Sequence, residues 1–429
     1  MVIKEILRKI IPDDILTLYH VSVLRNKNKA KINKIYEHYK DIEQTIKERE
    51  DKTIRFASYV IFDSTFAAYG LMDVMIQNKN TYNPKIVICP DVSRGEEHLL
   101  QQYRATKKFF IEKYGSEYVI DGYDERTGTF IDISGQFDVI YCANPYDTMV
   151  NEVHSVNYLS KKNVLPIYIS YGCLVDKYSY KYVMPRLEMS LFWKVFADEY
   201  YSYQDYKKYE LIKGKNVEVT GYAKMDSLVK FQRTLSERKK IIIAPHHTIN
   251  MPALPLSNFL QFYNFILELP QLFPNIDFIF RPHPLLFVNL EREGFWTKKE
   301  IEDYIKKITD SGMIYSYGGD YLDVFQNSDA IIHDCASFIM EYLFTGKPCC
   351  FVAKKENKNI FSKLGKACLK NYYMAYNKQD IIDFINNVVV IGADPLIDKR
   401  KKFFERKLTI NFPQVSKTIL EKITEDIKE

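Results

Sequence analysis

The feature that most constrains the fold is a regular alternation of short apolar segments with amphipathic helical ones, which starts near residue 54. In the first half of the chain the apolar segments cover 54–62, 85–89, 137–142 and 164–170. Parallel strands need long crossover connections, usually helices, so this alternation is typical of a parallel sheet. It predicts a doubly wound α/β fold.

The alternation restarts in the second half, after a polar and basic segment at 232–240. Its apolar segments are 240–244, 276–280, 313–316 and 330–333. A chain of 429 residues is too long for one compact core and suits two domains. We therefore predict a helical segment at 1–50, Rossmann-like domains at 51–231 and 232–412, and a last helix within 413–429.

The N-terminal segment carries apolar residues such as Ile3, Ile6 and Ile10 at amphipathic spacing, with basic residues beside them. Two interpretations are open: a helix that packs on its own domain, or a helix that lies on a membrane surface. The basic run at 25–34 suits lipid headgroups or water equally well.

Composition narrows the compartment and the partners. The net charge of +5 is mild, so we expect no nucleic-acid partner, although a slightly basic surface suits anionic lipid or a phosphate-bearing substrate. The seven cysteines are scattered through apolar segments without a C-x-x-C pair, which is typical of reduced cytosolic thiols. With no signal peptide and no bilayer-length apolar run, we expect a cytoplasmic protein, with peripheral attachment to the inner membrane face as an alternative.

The stretch at 328–352 combines a buried strand at 330–333 with a helix predicted at 336–344, starting at Ala336. Ser337 and Glu341 lie four residues apart and so share one helix face, near an N-terminus that favours anions. A hydroxyl and a deeper carboxylate suit a phosphate and a ribose diol, which predicts a nucleotide-diphosphate site. The alternative is a capped core helix whose Glu341 meets a cation. The chain has no glycine-rich phosphate loop, so helix ends and side chains would have to hold the phosphates.

Four histidines of the second half, His246, His247, His283 and His333, fall at or just after predicted strand ends. Strand ends on one side of a parallel sheet converge, so with Arg281 they could hold a pyrophosphate. His283 lies between two prolines that fix its direction. His246 and His247 are adjacent and are expected to point to opposite sides, so at most one of them faces ligand and they chelate metal poorly. His333 is a ligand or a core histidine. We predict no metal, since no carboxylate or thiol stands at a helical spacing from these residues.

In the first half Asp63, Asp147 and Tyr171 each follow a predicted strand, on the side where a cleft would open. They are candidates for an acceptor side. For the two aspartates a turn or helix-capping role is the alternative.

Several short motifs occur together in the second half, and one more leads into it. They are Arg-Pro-His-Pro at 281–284, Ser-Asp at 328–329, Asp334-x-x-Ser337, Lys-Pro at 347–348, and Gly221-x-x-x-x-Asp226. As an ordered set they resemble the CDP-glycerol glycerophosphotransferase family, over about 240–351. The N-terminal half resembles that family only in its rhythm of strands and helices.

The resemblance implies a GT-B fold, with two Rossmann-like domains facing a cleft and a C-terminal helix crossing back to the first. It implies metal-independent transfer of glycerol phosphate, or a related alditol phosphate, from a CDP-linked donor, with release of CMP. The acceptor would be a hydroxyl of a polysaccharide or lipid-linked glycan at the inner membrane face. The first domain would bind that acceptor and the second the donor.

By position, the resemblance implies that His283 and Ser337 contact the donor phosphates and Glu341 the ribose. The family's His-Gly pair, its proposed general base, is matched here by Tyr171-Gly172, and an ordinary tyrosine is a poor base near pH 7. His247 or His246 is the predicted base instead, with Asp63 and Asp147 in reserve.

Two other functions are compatible with these motifs. One is a GT-B glycosyltransferase that uses a UDP- or CMP-sugar in surface-polysaccharide synthesis. The other, suggested by the missing His-Gly pair, is a non-catalytic partner in a surface-polymer assembly complex.

Overall fold

The computed structural model describes residues 13–234, 236–318, 321–354 and 359–428. Its chain divides into two compact units. The first comprises Met1–Gly172, Ser179–Asp226 and Ile410–Glu429, and the second comprises Cys173–Tyr178 and Ser227–Thr409. The predicted amphipathic stretch around Ile3, Ile6 and Ile10 lies outside the described residues.

The first unit is built on a seven-stranded parallel sheet. Its strands are β1 (Ile54–Val60), β2 (Tyr82–Ile88), β3 (Val119–Asp121), β4 (Val139–Cys142), β5 (Leu165–Ile169), β6 (Lys194–Ala197) and β7 (Val217–Val219). Their order across the sheet is β3-β2-β1-β4-β5-β6-β7. The strands after β1 are added first on one side of it, as β2 and β3, and then on the other side, from β4 onward. A small antiparallel hairpin pairs Tyr123–Asp124 with Thr129–Phe130.

The helices up to residue 226 lie before and between these strands, as in a doubly wound fold. They are α1 (Asp13–Glu48), α2 (Tyr69–Gln77), α3 (Glu96–Tyr114), α4 (Val156–Leu159), α5 (Tyr178–Tyr182), α6 (Leu187–Leu191) and α7 (Tyr200–Tyr209). Short 3-10 turns cover Asp63–Thr65, Asp147–Met149 and Ala223–Lys230.

The long helix α1 is tied to its own unit by side chains on one face. Tyr39 donates a hydrogen bond to the Leu191 carbonyl at 2.5 Å, and Tyr36 donates one to the Phe192 carbonyl at 2.6 Å. Arg25, within the basic run, donates to the Glu210 carbonyl at 2.7 Å. These contacts pack α1 on its own unit, and the two interpretations of the stretch around Ile3, Ile6 and Ile10 stay predictions.

The last helix, α16 (Val415–Lys428), belongs to the first unit. The Asp226 carboxylate accepts the N-terminal amides of Val415 at 3.2 Å and Ser416 at 2.7 Å, which caps the helix. Gly221 is required nearby, because its φ is +100° and a Cβ there would lie 2.1 Å from the Ile410 carbonyl oxygen. The predicted return of the C-terminal helix to the first unit is confirmed.

The second unit is built on a six-stranded parallel sheet in the order β10-β9-β8-β11-β12-β13. Its strands are β8 (Lys239–Ala244), β9 (Ile276–Phe280), β10 (Ile314–Tyr315), β11 (Ala330–His333), β12 (Cys349–Val352) and β13 (Tyr373–Ala375). Its helices are α8 (Phe259–Leu272), α9 (Leu286–Arg292), α10 (Lys298–Asp310), α11 (Leu322–Asn327), α12 (Phe338–Glu341), α13 (Lys363–Leu369), α14 (Lys378–Asp383) and α15 (Ile397–Phe403). The segments Phe384–Val390 and Phe404–Leu408 are π-helical.

The core of the second unit lies under α8 and α10. Phe259, Phe262, Phe265, Ile266 and Leu269 of α8 are buried, at the spacing that places them on one helix face. This face packs against the buried side chains of the sheet, and together they form one hydrophobic core.

The predicted pair of parallel α/β sheets is confirmed, and the differences lie in short elements. Strands β3, β6, β7 and β13 were not predicted, because runs of three or four residues carry too little periodicity to be recognised. The helix that follows β1 begins only at Tyr69. Asp63 lies in a separate 3-10 turn, so it does not cap that helix.

The helix predicted at 336–344 is shorter than expected. It consists of the single α-turn Phe338–Glu341, which tightens into the 3-10 turn Tyr342–Thr345 before Gly346. Ser337 precedes the turn with helical dihedral angles, and its side chain makes no capping hydrogen bond. The expectation of a nine-residue α-helix is therefore wrong, and so is the cap that belonged to the alternative interpretation.

Composition was a good guide to the cysteines. All seven are buried and free, as expected for reduced thiols. Among the described residues, no helix is both long and apolar enough to cross a bilayer.

Candidate functional site

Three adjacent strands of the second unit carry most of the predicted site residues at their carboxyl ends. β8 lies between β9 and β11, with Ile243 paired to Phe280 and Ala244 paired to His333. The strands β9 and β10 lie on one side of β8 and the later strands on the other, so the strand order switches between β8 and β11. In open α/β sheets ligands bind outside the strand ends at such a switch point.

His246, His247 and His283 form a compact cluster at this edge, which we call the histidine triad. The ring centroids of His246 and His247 lie 4.4 Å apart, those of His247 and His283 4.1 Å, and those of His246 and His283 5.3 Å. The expectation that His246 and His247 point to opposite sides is wrong. The chain has left its extended strand conformation at Pro245, so the alternation of side chains no longer applies.

Backbone hydrogen bonds bring the triad together. The His283 amide donates to the Pro245 carbonyl at 3.0 Å, which joins the loops after β9 and β8. The buried Asp334 carboxylate accepts the His246 amide at 2.5 Å through one oxygen and the Asn258 amide at 2.5 Å through the other. Asp334 thus connects the ends of β8 and β11 to the start of α8.

The environment keeps two of the three imidazoles, His246 and His283, uncharged. His246 is buried, and His247 and His283 are half-buried. Burial lowers the pKa of His246 and of His283 well below the usual value, and repulsion from the neighbouring imidazoles lowers both further. Burial raises the pKa of Asp334 to about 6, against the opposing effect of its hydrogen bonds. At neutral pH the two histidines are therefore neutral imidazoles.

Arg281 lies at the end of β9 with its guanidinium turned into the unit. It donates to the Ser316 hydroxyl at 2.6 Å and to the Gly318 carbonyl at 2.7 Å, and it stacks over the Tyr321 ring at 5.5 Å. These contacts hold the loop after β10 against β9. A contact of Arg281 with donor phosphates remains a prediction.

Ser337 and Ala336 are half-buried in the turn after β11. Glu341, by contrast, is completely buried, and its carboxylate accepts the Tyr321 hydroxyl. Its burial agrees with the alternative interpretation of a core residue, although Ser337 does not cap the helix as that interpretation requires. Its predicted contact with a ribose stays a prediction.

His333 has the contacts of a core histidine. Its Nδ1 accepts the Cys335 amide at 3.1 Å, its Nε2 faces the Tyr372 hydroxyl at 3.3 Å, and that hydroxyl donates to the Phe338 carbonyl at 2.9 Å. Burial lowers the pKa of His333 to about 3. Of its two interpretations, the structure favours the core one.

The predicted acceptor-side residues lie at the carboxyl edge of the first sheet. The Asp147 carboxylate accepts the amides of Val156 at 2.7 Å and Asn157 at 3.0 Å, so it caps α4. Asp63 is half-buried after β1, and burial raises its pKa. Tyr171 follows β5, and its carbonyl accepts the Lys224 ammonium at 3.2 Å.

A metal ion has to be considered at the triad. One ring nitrogen of each histidine lies within 4.8 Å of the others, a spacing at which three imidazoles can bind one transition-metal ion. No metal was expected partly because the side chains of His246 and His247 should diverge. Their ring centroids lie 4.4 Å apart, so that reason no longer holds. Whether the triad can bind a metal ion depends on which ring nitrogens carry hydrogen.

Two residues that support the triad were not among the predicted site residues. Asp334 was noted only as part of a motif, although its place directly after a buried strand was a usable signal. The Asn289 side chain of α9 contacts His247 at 3.0 Å, and no sequence pattern announces it. Such supporting residues come from other elements, so only folding brings them to the site.

No family model matches the chain, and no curated protein matches it. Several solved structures do match, at low identity. The wall teichoic acid polymerase TagF aligns with a TM-score of 0.58 and 14% identity, over 96% of this chain and 98% of that one. The UDP complex of MnaA from S. aureus aligns at 0.54 and 13%, over 86% and 96%. UDP-GlcNAc 2-epimerase from Neisseria meningitidis, bound to UDP-GlcNAc, aligns at 0.52 and 15%, over 87% and 100%.

These similarities, together with the two parallel sheets and the returning α16, show that the chain has the GT-B fold. At 12–15% identity they show the fold alone.

Proposed function

We propose that this protein transfers glycerol phosphate, or a related alditol phosphate, from a CDP-activated donor to a hydroxyl of a cell-surface glycan or lipid-linked polymer. The histidine triad at the switch point of the second sheet is the observation that carries the proposal. Three imidazoles with ring nitrogens within 4.8 Å of one another suit a phosphoryl group better than an apolar ligand.

The reaction would be an in-line displacement on the donor's β-phosphorus. The acceptor oxygen forms a bond to phosphorus, the bond from that phosphorus to the bridging oxygen breaks, and CMP leaves with the bond's electron pair. The acceptor proton passes to a base. The protein's task is to orient the donor and to stabilise charge on the phosphoryl oxygens, and we assign this task to His283 and Ser337, with Arg281 assisting.

The fold comparisons support this choice of donor without deciding it. One matched TagF structure was soaked with CDPG, and it aligns with a TM-score of 0.56 over 96% of this chain. The Arg-Pro-His-Pro motif supplies the member of the triad that joins the loops after β9 and β8. We propose that no metal cofactor is needed.

The acceptor is the second substrate of the proposed reaction. We propose a polysaccharide or lipid-linked glycan, bound by the first unit. Contact with an anionic membrane would use exposed cations such as Lys27 and Lys29 of α1, since Arg25 and Lys31 are engaged with carbonyl and amide oxygens of their own unit.

A second candidate is transfer of a sugar from a UDP- or CMP-linked donor. The similarity to the UDP complex of MnaA favours it, because the same fold there holds a uridine nucleotide. A third is a non-catalytic role in a surface-polymer assembly complex, which would leave the triad as a binding site only.

One experiment separates these functions. The purified protein is incubated with CDP-glycerol, CDP-ribitol, CMP-sugars and UDP-sugars, each with a glycan acceptor, and the products are followed by phosphorus NMR. Release of CMP together with a new phosphodiester supports the proposal. A new glycosidic bond supports the second candidate, and no consumption of any donor despite nucleotide binding supports the third.

A further inference from the structure

The hydrogen bonds around the triad decide what each imidazole can offer a ligand. A neutral imidazole carries hydrogen on one ring nitrogen and a lone pair on the other. Whichever nitrogen accepts a hydrogen bond must therefore hold the lone pair, and the other nitrogen must be a donor. Each ring of the triad has a polar group within hydrogen-bonding distance of its Nδ1 atom.

At His283 the partner is a backbone amide. The N–H of Leu285 points at Nδ1 over 3.1 Å. A backbone N–H can only donate, so this Nδ1 holds the lone pair. The hydrogen of His283 is on Nε2.

At His247 the partner is the side-chain amide of Asn289. The Asn289 nitrogen lies 3.0 Å from the His247 carbonyl oxygen and 3.0 Å from His247 Nδ1. A carbonyl oxygen only accepts, which identifies the atom facing it as the NH₂ group and leaves its second hydrogen for Nδ1. His247 therefore also carries its hydrogen on Nε2.

At His246 the partner is the Thr248 hydroxyl, 2.9 Å from Nδ1. That oxygen already faces the backbone amides of Leu256 at 3.3 Å and Ser257 at 3.4 Å. These two donors occupy the two lone pairs of the hydroxyl, so its own hydrogen is directed to His246. The third ring is again an Nε2–H donor.

We propose that the triad is a set of three Nε2–H donors for an anionic phosphoryl group, and that Asn289 is a positioning residue which fixes the tautomer of His247. Only the identification of that anion with the donor's diphosphate rests on the proposed function. The same tautomers disfavour a transition metal, because the Nε2 atoms carry hydrogen and the Nδ1 atoms face donors. Histidines that bind metal instead donate their second N–H to an acceptor.

This arrangement also bears on the general base. An Nε2–H imidazole whose Nδ1 accepts a hydrogen bond has no lone pair directed at a substrate hydroxyl. His246 and His247 are therefore donors to the transferred group, and the base has to come from elsewhere. Of the predicted reserves, the Asp147 carboxylate already accepts the amides that cap α4.

The tautomers can be read directly by nitrogen NMR of the full-length protein labelled with ¹⁵N-histidine, because protonated and lone-pair ring nitrogens resonate at well-separated frequencies. We expect Nε2–H signals for all three rings at pH 7. In Asn289→Asp the new carboxylate can only accept, so the His247 hydrogen should move to Nδ1 or the ring should become doubly protonated. Asn289→Ala should give a tautomer mixture at His247 alone. A wild-type spectrum with hydrogen on Nδ1 of His247 or His283 overturns the inference.

Binding supplies the second readout, with inorganic pyrophosphate and Zn²⁺ as probes in calorimetry. Wild-type protein should bind pyrophosphate and not one equivalent of Zn²⁺ at the triad. Asn289→Ala should weaken pyrophosphate binding about tenfold, the scale of one hydrogen bond to a charged group. The exposed Asn78→Asp provides a matched control that should change neither. Stoichiometric Zn²⁺ binding that is lost in His283→Ala would refute the donor assignment.

The two proposals fail separately. If no CDP-linked donor is consumed while the Nε2–H signals and pyrophosphate binding are as expected, the proposed function falls and the donor set stands. If a CDP-linked donor is consumed but the wild-type tautomers are reversed, the donor set falls alone.

Discussion

The two sheets share the strand order 3-2-1-4-5-6, yet their carboxyl edges carry opposite kinds of side chain. The second edge holds the histidine triad, whereas the first holds carboxyl groups at Asp63, Asp147 and Asp198. Burial acts on both edges in the same direction, toward the uncharged form. It lowers the pKa of His246 and His283 and raises the pKa of the three aspartates.

The difference shows that the sheet topology determines where a site lies, whereas the side chains at the strand ends determine its chemistry. Neutral imidazoles with fixed tautomers offer hydrogens to an anion. Carboxyl groups with raised pKa values keep their proton to a higher pH than ordinary carboxyl groups do. Four predictions can break or sharpen this comparison.

The largest effect is expected for His283→Ala. Turnover measured as CMP release from CDP-glycerol should fall by about a hundredfold or more, the usual loss when one donor to a developing charge is removed. The exposed His20→Ala in the first unit is the matched control and should keep full turnover. Near-normal turnover of His283→Ala in a folded protein would exclude it from the site.

The next effect concerns the carboxylates that hold each edge together. Asp334→Ala leaves the buried amides of His246 and Asn258 without acceptors and should cost about 2–4 kcal/mol of unfolding free energy. Asp147→Ala removes a less buried cap and should cost about 1 kcal/mol. Urea denaturation measures both. Equal losses would show that Asp334 has no special role in fixing the triad's edge.

A third prediction uses pH. Asp198 is buried after β6, neither of its carboxylate oxygens makes a hydrogen bond of normal geometry, and burial raises its pKa to about 6. An acid whose folded pKa is raised binds more protons when folded, so it lowers stability as pH rises from about 4 to about 6.

Asp198→Asn should therefore stabilise the protein at pH 8, on the order of 1–2 kcal/mol, and should change little at pH 4. Thermal melting across this range is the measurement. Glu199, whose pKa burial and the Asp198 charge raise to about 7, should lose the second of these contributions in the same variant, so its titration contributes to the measured gain. A gain that is equal at both pH values would contradict the assigned charge effect.

The smallest structural effect is expected at Ser337. Its side chain makes no capping hydrogen bond, so Ser337→Ala should change the unfolding free energy by less than about 0.5 kcal/mol. Donor affinity should nevertheless fall several-fold if its hydroxyl contacts a phosphate, on the scale of one hydrogen bond. A loss of stability without a loss of affinity would place Ser337 in the scaffold instead of the site.

The sequence was informative where its signal is local. Alternating apolar strands and helices predicted both parallel sheets, and strand-end positions predicted that His246, His247 and His283 would be candidates. It misjudged the geometry of the adjacent pair, because the period-two rule fails once the chain leaves β8 at Pro245. It also extended the helix after β11, since apolar spacing does not distinguish an α-turn from a 3-10 turn.

By itself, then, the sequence determined the fold class, the two sheets and the strand ends at which chemistry is to be sought, because hydrophobic periodicity is written residue by residue. Only the tertiary structure decided which imidazole nitrogens carry hydrogen and which aspartates are already engaged as caps. Those properties depend on partners such as Asn289 and Asp334, which are brought to the site from distant segments. Hydrogen-bond direction depends on such neighbours, and neighbours exist only after folding.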